Sequence, residues 1–304
     1  MNIQSLSIVV PNKDCVNKCP FCVSRMHCEE YRNQLNENLP FFDLYLNDYL
    51  KRLQFARDNG CNTVMLTGTS EPQQNKQFLT WFGMFQRMLK SPFQWVEMQT
   101  TGVILDEAYL RFLRNHVGVN LISLSLSSLR SKENCDIIGC PDKLRFDLDA
   151  LCALIKRYDF SLRLSINLTN VFDGLCQPDE NGCINPDAAR AIFNRCEALG
   201  ADQVTFRVLY SDRTSDTPQS HWIAKHAANA ETVTHLKLYV QREGTKLGQL
   251  PFGAAKYSIH GMSTIIDDDC MAKNVKSDET YKYLILRPNC KLYSSWDDKA
   301  SLIF

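Results

Sequence analysis

Six runs rich in β-branched residues alternate with helical patterns over the first two thirds of the chain, and this alternation restricts the fold more than any other feature. The strand-like runs are Ser5–Val10, Asn62–Leu66, Gln94–Gln99, Leu121–Leu126, Ser161–Leu168 and Asp202–Val208. Between them lie helical stretches at Phe41–Asn59, Gln77–Lys90, Asp106–Asn115, Phe146–Tyr158 and Asp187–Leu199. Strands separated by helices cannot turn back as hairpins. They cross over and pair in parallel, which predicts an α/β fold. Six such units fit a partial (β/α)6 TIM-like barrel better than a short open sheet.

Loop lengths orient that barrel. Links from helix to strand are short, as at Asn59–Cys61, Lys90–Pro92 and Leu199–Ala201. Links from strand to helix are long: Pro11–Pro40, Thr67–Lys76, Ser127–Arg145, Thr169–Pro186 and Leu209–Gln219. Long loops in compact domains tend to be functional. Here they gather at the C-terminal rim of the strands, where barrel sites are built. The reading is an enzyme, or at least a ligand site.

Beyond about Ser220 the pattern changes. A helix is expected over Ser220–Gln241, then a Gly- and Pro-containing link, Glu243–Gly253, and two alternating stretches, Tyr257–Met271 and Tyr281–Trp296. The second contains Pro288-Asn289 and reads as strand, tight turn, strand. The expected division is therefore a barrel over residues 1–215 and a helical and antiparallel-hairpin extension over residues 216–304 that caps the barrel mouth.

Composition narrows the function. Of 304 residues, 34 are Lys or Arg and 34 are Asp or Glu. This balance argues against a nucleic-acid polymer as partner, which needs a local excess of basic charge. No apolar run approaches the ~18 residues of a membrane span, and Met1–Val10 lacks the features of a signal peptide. The expected location is cytoplasmic. Thirteen cysteines, an odd number in a chain with no secretory signal, point to reduced thiols rather than a disulfide framework.

Three of those thiols carry the strongest signal. Cys15, Cys19 and Cys22 form C-x3-C-x2-C directly after the first strand. Such a sulfur-rich face suits an iron–sulfur cluster or zinc. A closed zinc site wants four ligands, and His27 or Cys28 could complete one. Three cysteines on an iron–sulfur cube leave one iron open to an outside ligand.

With these residues the chain resembles the radical SAM (S-adenosylmethionine) enzymes, distantly those of the group that contains the molybdenum-cofactor first-step cyclase and viperin. In that family the three cysteines follow the first strand, with an aromatic residue before the third, as Phe21 is here. The family's Gly-Gly-Glu-Pro at the end of strand two is matched by Thr67-Gly68-Thr69-Ser70-Glu71-Pro72, which departs from it between the first Gly and the Glu. The resemblance covers about Ser5–Leu209. It implies one [4Fe-4S] cluster on Cys15, Cys19 and Cys22, with SAM cleaved to a 5′-deoxyadenosyl radical that takes hydrogen from a substrate. It also implies that Gly68, Thr69, Ser70, Glu71 and Pro72 meet the SAM amino group, with Glu71 as the charged partner. Thr100, Ser125, Ser127, Asn167 and Arg207, at the ends of strands three to six, are further SAM-binding candidates by the same resemblance. A flavodoxin or ferredoxin is the implied electron donor.

The tail holds Arg287-Pro-Asn-Cys290-Lys-Leu-Tyr293, which resembles the hairpin that carries auxiliary clusters in relatives but lacks the neighbouring cysteine. A single cluster is expected, with Cys135, Cys140, Cys176, Cys183, Cys270 and Cys290 as ordinary thiols. Lys256, Tyr257, His260, Tyr283 and Arg287 are candidates to meet an anionic or nucleotide-like substrate, or are side chains of a packed hairpin. The acidic run Asp267–Asp269 reads as a solvated turn. Three functions follow. The first is a radical SAM enzyme acting on a small polar or nucleotide-like molecule. The second is a peptide-modifying maturase, for which the fourteen residues before Cys15 leave little room for a leader-binding domain, or a glycyl-radical-enzyme activase. The third is a zinc-stabilised binding protein without catalytic activity.

Overall fold

The computed structural model describes residues 2–26, 44–176, 185, 187–209, 216–250, 254–267, 280–296 and 299–304. His27 and Cys28, the fourth ligands of the zinc alternative, lie outside the described residues, as do Cys183, Asp268, Asp269 and Cys270. In chain order the elements are β1 (Asn2–Val9), α1 (Val23–Met26), α2 (Leu46–Asp58), β2 (Thr63–Thr67), α3 (Lys76–Met88), β3 (Trp95–Thr100), α4 (Glu107–Phe112), β4 (Leu121–Leu126), α5 (Ser131–Ile137), α6 (Leu148–Arg157), β5 (Ser161–Leu168), α7 (Arg190–Ala198), β6 (Gln203–Val208), α8 (Pro218–His226), α9 (Ala230–Glu243), β7 (Thr245–Gln249), β8 (Ala255–Ile259), β9 (Met262–Asp267), β10 (Thr280–Leu286) and β11 (Leu292–Tyr293). The chain divides into two compact units, one of residues 1–17, 27–122 and 272–304, the other of residues 18–26 and 123–271.

In the first unit β10, β1, β2 and β3 are parallel neighbours, with Leu6 opposite Leu284 and Val64, and Val64 opposite Val96. Leu6, Ile8, Val64, Leu66, Val96 and Met98 recur at every second position and are fully buried. That is the period a strand needs to aim one set of side chains inward. Burial of each such side chain stabilises the fold by roughly 1.5–3 kcal/mol. Asn75 starts α3 by accepting the Phe78 amide, a cap worth about 1 kcal/mol. β11 returns antiparallel on β10 around the expected Pro288-Asn289 turn.

In the second unit β5, β6 and β9 are parallel, which sets Asn167 opposite Arg207 and Arg207 opposite Asp267. β8 and β7 continue antiparallel beyond β9.

The parallel core expected from the alternation is present, and four details differ from the sequence reading. The Ser127–Arg145 loop contains α5. The single helix expected over Ser220–Gln241 is two, α8 and α9, because the chain turns where the Ala228 amide bonds to the Leu168 carbonyl and Asn229 caps α9. The stretch from Tyr257 is a hairpin, β8 and β9, since His260 and Gly261 both take positive φ (49° and 78°), the conformation of a tight two-residue turn. β7 lies inside what reads as a Gly- and Pro-containing link.

Candidate active site

The turn after β2 is built around Glu71. Gly68 opens it, and a Cβ there would meet the Val10 carbonyl oxygen at 2.8 Å, so only glycine lets the turn lie against the end of β1. Glu71 is buried at 3% exposure. Its Oε2 accepts from the Thr101 amide at 3.0 Å and the Thr101 hydroxyl at 2.8 Å. Its Oε1 is buried and has no hydrogen-bond partner. Burial pushes the Glu71 pKa up, and the surrounding donors from Thr100, Thr101 and Gln73 offset this only in part. Ser70 Oγ and Gln73 Nε2 are also buried without a partner. Each such atom costs about 1–3 kcal/mol unless a ligand or an ordered water meets it.

Around this turn runs a network of amides. Thr100 donates to Gln73 Oε1 at 3.1 Å and accepts from the Gly102 amide. The Tyr109 hydroxyl donates to the Gln73 carbonyl, and burial, followed by the charge of Glu71, raises the Tyr109 pKa. Asn17 donates to Thr101 Oγ1 at 2.7 Å, which in turn donates to Glu71. Asn12 donates to the Glu71 carbonyl, and Asn75 to the Pro11 carbonyl. Gln74 donates to the Asp14 carbonyl at 3.0 Å and accepts from the Val16 amide at 2.8 Å. Residues 11–17, the first half of the cysteine loop, are thus laced to the Glu71 turn by side-chain amides. The sequence reading passed over all of them, although Gln73-Gln74-Asn75 directly after the Glu-Pro pair was a visible signal.

The rim candidates of the second unit also come together. Asn167 on β5 donates to Ser125 Oγ at 3.3 Å and to Ser127 Oγ at 3.4 Å, both at the end of β4. Ser127 is fully buried, its amide held by Asn134 and its carbonyl by Thr169. Arg207 donates to Ser165 on β5 at 2.9 Å.

The three loop cysteines differ from the other described ones. Cys15, Cys19 and Cys22 are half-buried, whereas Cys61, Cys135, Cys140, Cys152, Cys196 and Cys290 are buried. Burial pushes the thiols of Cys61, Cys152, Cys196 and Cys290 up to about 12 and that of Cys140 up to about 11. These therefore stay protonated and poor in ligand character. Cys290 also donates weakly to the Tyr45 and Pro288 carbonyls. Cys15 belongs to the first unit, Cys19 and Cys22 to the second. The second half of the loop is positioned by the turn after α5. The Lys18 amide and the Cys19 thiol both reach the Ile138 carbonyl. Gly139, at φ 61°, leaves room for Lys18, whose atoms a Cβ would meet at 3.0–3.1 Å. Cys22 leads into α1, its carbonyl accepting the Arg25 and Met26 amides. Phe21 packs on Trp222 at 5.5 Å, and Trp222 stacks on His226 at 4.3 Å. Among the described residues no three His, Cys, Asp or Glu side chains are already gathered at metal-binding distances. The donor chemistry of three half-buried thiols within eight residues nevertheless fits a thiolate-held cluster, and the unpaired Glu71 oxygen fits an ammonium.

Of the five substrate candidates, Tyr283 and Arg287 belong to the first unit and Lys256, Tyr257 and His260 to the second. Arg287 follows β10 and is buried. Its guanidinium lies 3.9 Å over the Tyr293 ring and donates to the Ser295 and Trp296 carbonyls, so it holds the C-terminal turn. Tyr283 packs with Trp296 against Val9, Ile285 and Tyr293. Lys256 and Tyr257 lie on β8 of the other unit, opposite Ile265 and Thr264. His260 sits in the turn before β9, at the N-terminal edge of its sheet, where Nδ1 is 2.9 Å from Glu197. That edge is opposite the rim that carries Asn167 and Arg207.

The fold is similar to that of solved radical SAM enzymes. Three solved structures share it: Streptococcus suis SuiB bound to S-adenosylmethionine (TM-score 0.56, 14% identity, 96% of this chain and 60% of SuiB); anSMEcpe with bound AdoMet (TM-score 0.54, 14% identity, 96% of this chain and 74% of that one); and the radical SAM enzyme HemN, coproporphyrinogen III oxidase from Escherichia coli (TM-score 0.52, 12% identity, 82% of this chain and 54% of that one). This chain spans three fifths of the length of SuiB. No protein-family model and no curated protein matches the sequence. No described helix is long and apolar enough to cross a membrane.

Proposed function

We propose that this chain is a radical SAM enzyme that acts on a small polar or nucleotide-like substrate in the cytoplasm, with a flavodoxin or ferredoxin as electron donor. The observation that carries the reading is Glu71, a buried carboxylate with one unpaired oxygen at the C-terminal end of β2. A ligand ammonium there would turn an unfavourable buried charge into a charge-assisted hydrogen bond. Cys15, Cys19 and Cys22 would hold a [4Fe-4S] cluster. When bound, the cluster and SAM supply one-electron cleavage to a 5′-deoxyadenosyl radical able to take hydrogen from carbon. The chain's own part is to bind and orient. Glu71 takes the amino group, with Gly68, Thr69, Ser70 and Pro72 shaping the turn and Thr100 bracing Gln73. Ser125, Ser127, Asn167 and Arg207, at the strand ends of the second unit, are the further candidates for SAM contact. Phe21 seats the cysteine loop on Trp222.

The test is electron paramagnetic resonance on the anaerobically reconstituted, reduced protein. A cluster signal that shifts on addition of SAM supports the reading. A signal indifferent to SAM defeats it, and about one zinc per chain with no signal points to the structural-metal alternative.

A second reading has a specific motive. anSMEcpe with bound AdoMet and a Cp18Cys peptide also shares the fold (TM-score 0.50, 15% identity). Peptide modification would show as SAM cleavage to 5′-deoxyadenosine that rises with added peptides and not with nucleotides or other small polar molecules.

A further inference from the structure

We propose that Gln74 is the residue that positions Cys15 relative to Glu71, and thereby couples cluster ligation to SAM binding. The proposal rests on the radical SAM reading above and deepens it. The Gln74 side chain spends both ends of its amide on one residue of the cysteine loop. Nε2 donates to the carbonyl just before Cys15 and Oε1 accepts from the amide just after it. Only one orientation of the amide satisfies both partners, which fixes its assignment. The pattern is that of a single strand residue paired with Cys15, supplied by a side chain. It sets the main chain on both sides of the thiol.

Gln74 itself is anchored to the site. Its own amide bonds to the Glu71 carbonyl at 3.1 Å, as the last residue of the short helical turn Pro72–Gln74. Two further bonds run in parallel, from Asn12 to the Glu71 carbonyl and from Asn75 to the Pro11 carbonyl. A molecule that must meet Glu71 through its ammonium and reach the group held by Cys15 at the same time is sensitive to the distance between them. Site geometry of this kind has to be held to about 0.5 Å. Gln74 is exposed. Its two hydrogen bonds therefore add little to global stability, since water competes for both partners. Their effect is on the placement of Cys15.

The experiment uses the full chain, reconstituted anaerobically, as wild type, Gln74→Met and Gln74→Glu. Gln74→Met keeps the length of the side chain and loses both bonds. Gln74→Glu keeps the acceptor for Val16 and loses the donor to Asp14. Iron per chain, thermal midpoint, SAM affinity and the SAM-induced shift of the reduced-cluster resonance are measured for each. Expected are unchanged iron and midpoint in both variants. SAM binding should weaken about tenfold in Gln74→Met and about threefold in Gln74→Glu, as Cys15 is displaced on losing two and one of its positioning contacts. The resonance should broaden in the same order. SAM affinity and line shape equal to wild type in both variants overturn the proposal. So does a loss of iron and midpoint in step with SAM affinity, which would make Gln74 a structural residue only. If the wild-type resonance itself ignores SAM, the radical SAM reading fails and takes this proposal with it. A wild-type shift that the variants reproduce at unchanged affinity and line width sinks the Gln74 proposal alone.

Discussion

The Glu71 turn of the first unit and the β4–β6 rim of the second both gather buried polar groups, but they resolve their hydrogen bonding to different degrees. At the rim, Asn167, Ser125 and Ser127 satisfy one another, and the main chain of Ser127 is held by Asn134 and Thr169. At the turn, Glu71 Oε1, Ser70 Oγ and Gln73 Nε2 are left without partners. The first leaves one buried side-chain atom, Asn134 Nδ2, without a partner. The second leaves three within four residues, a cost that a ligand or an ordered water would remove. A ligand ammonium at Glu71 should accordingly gain most of its binding energy at the turn. Hydrogen bonds to charged groups contribute about 1.5–3 kcal/mol and neutral ones about 0.5–1.5.

The largest effect is expected at the cysteine loop. Cys15→Ala, Cys19→Ala and Cys22→Ala should each abolish formation of 5′-deoxyadenosine from SAM. Cys152→Ala and Cys196→Ala should leave it measurable, because those thiols are buried and protonated. A fully active loop variant, assayed by chromatography of the products, would remove the cluster assignment.

Next in size is Glu71→Gln, which should weaken SAM binding roughly 10–100-fold, the value of one charge-assisted bond, with iron content unchanged. The same substitution gives a stability test with a defined sign. Folding raises the Glu71 pKa, so the folded state binds more protons than the unfolded one between the ordinary carboxylate range and the raised value. Wild-type stability therefore increases as pH falls through that window. Without ligand, Glu71→Gln should be more stable than wild type at neutral pH, and the gain should vanish as wild-type Glu71 becomes protonated. Thermal unfolding of both proteins across the acid range checks this. A constant difference at every pH would mean that Glu71 is not the titrating group.

Asn167→Ala should cost less, about 2–10-fold in SAM affinity by calorimetry, as the loss of neutral hydrogen bonds. A larger loss than that of Glu71→Gln would invert the comparison. His260→Gln should be the smallest effect, under about twofold on SAM cleavage with any substrate, since an exposed pair contributes ~0–1 kcal/mol and lies at the far edge of its sheet. A large loss there would move the substrate toward that edge.

The parallel core was legible because period and punctuation agree. β4 and β5 begin and end where the β-branched runs do, and β2 gives way to Gly68 where the turn needs glycine. The hairpin at His260-Gly261 was missed because its strands are short and a non-glycine residue takes one of the two positive φ angles. The pairing of β9 with β6 and β10 with β1 was invisible for a different reason. Parallel pairing between strands that are distant in sequence leaves no local signal, since neither strand has its partner's helix beside it. At the site, Cys15, Cys19, Cys22 and Glu71 could be singled out because their chemistry is rare at that spacing. The amides that hold them could not. Asn and Gln occur everywhere on protein surfaces, and only the fold shows that Gln74 grips both sides of Cys15 while Asn17 reaches Glu71 through Thr101. Arg287 misled in the opposite direction. A cation in a rim position suggests an anion, but its guanidinium is occupied by main-chain carbonyls and an aromatic face.

The pairing of β10 with β1 has a consequence for synthesis. Ser5 bonds to the Lys282 carbonyl across 277 residues, so one edge of the first strand has no partner until nearly the whole chain has been made. At ~5–20 residues per second, translation leaves that edge open for about 15–55 s. Its neighbours Leu6 and Ile8, fully buried in the finished protein, are apolar and β-prone, the kind of edge that pairs with other chains when left uncovered. The nascent protein thus has to be shielded over that interval.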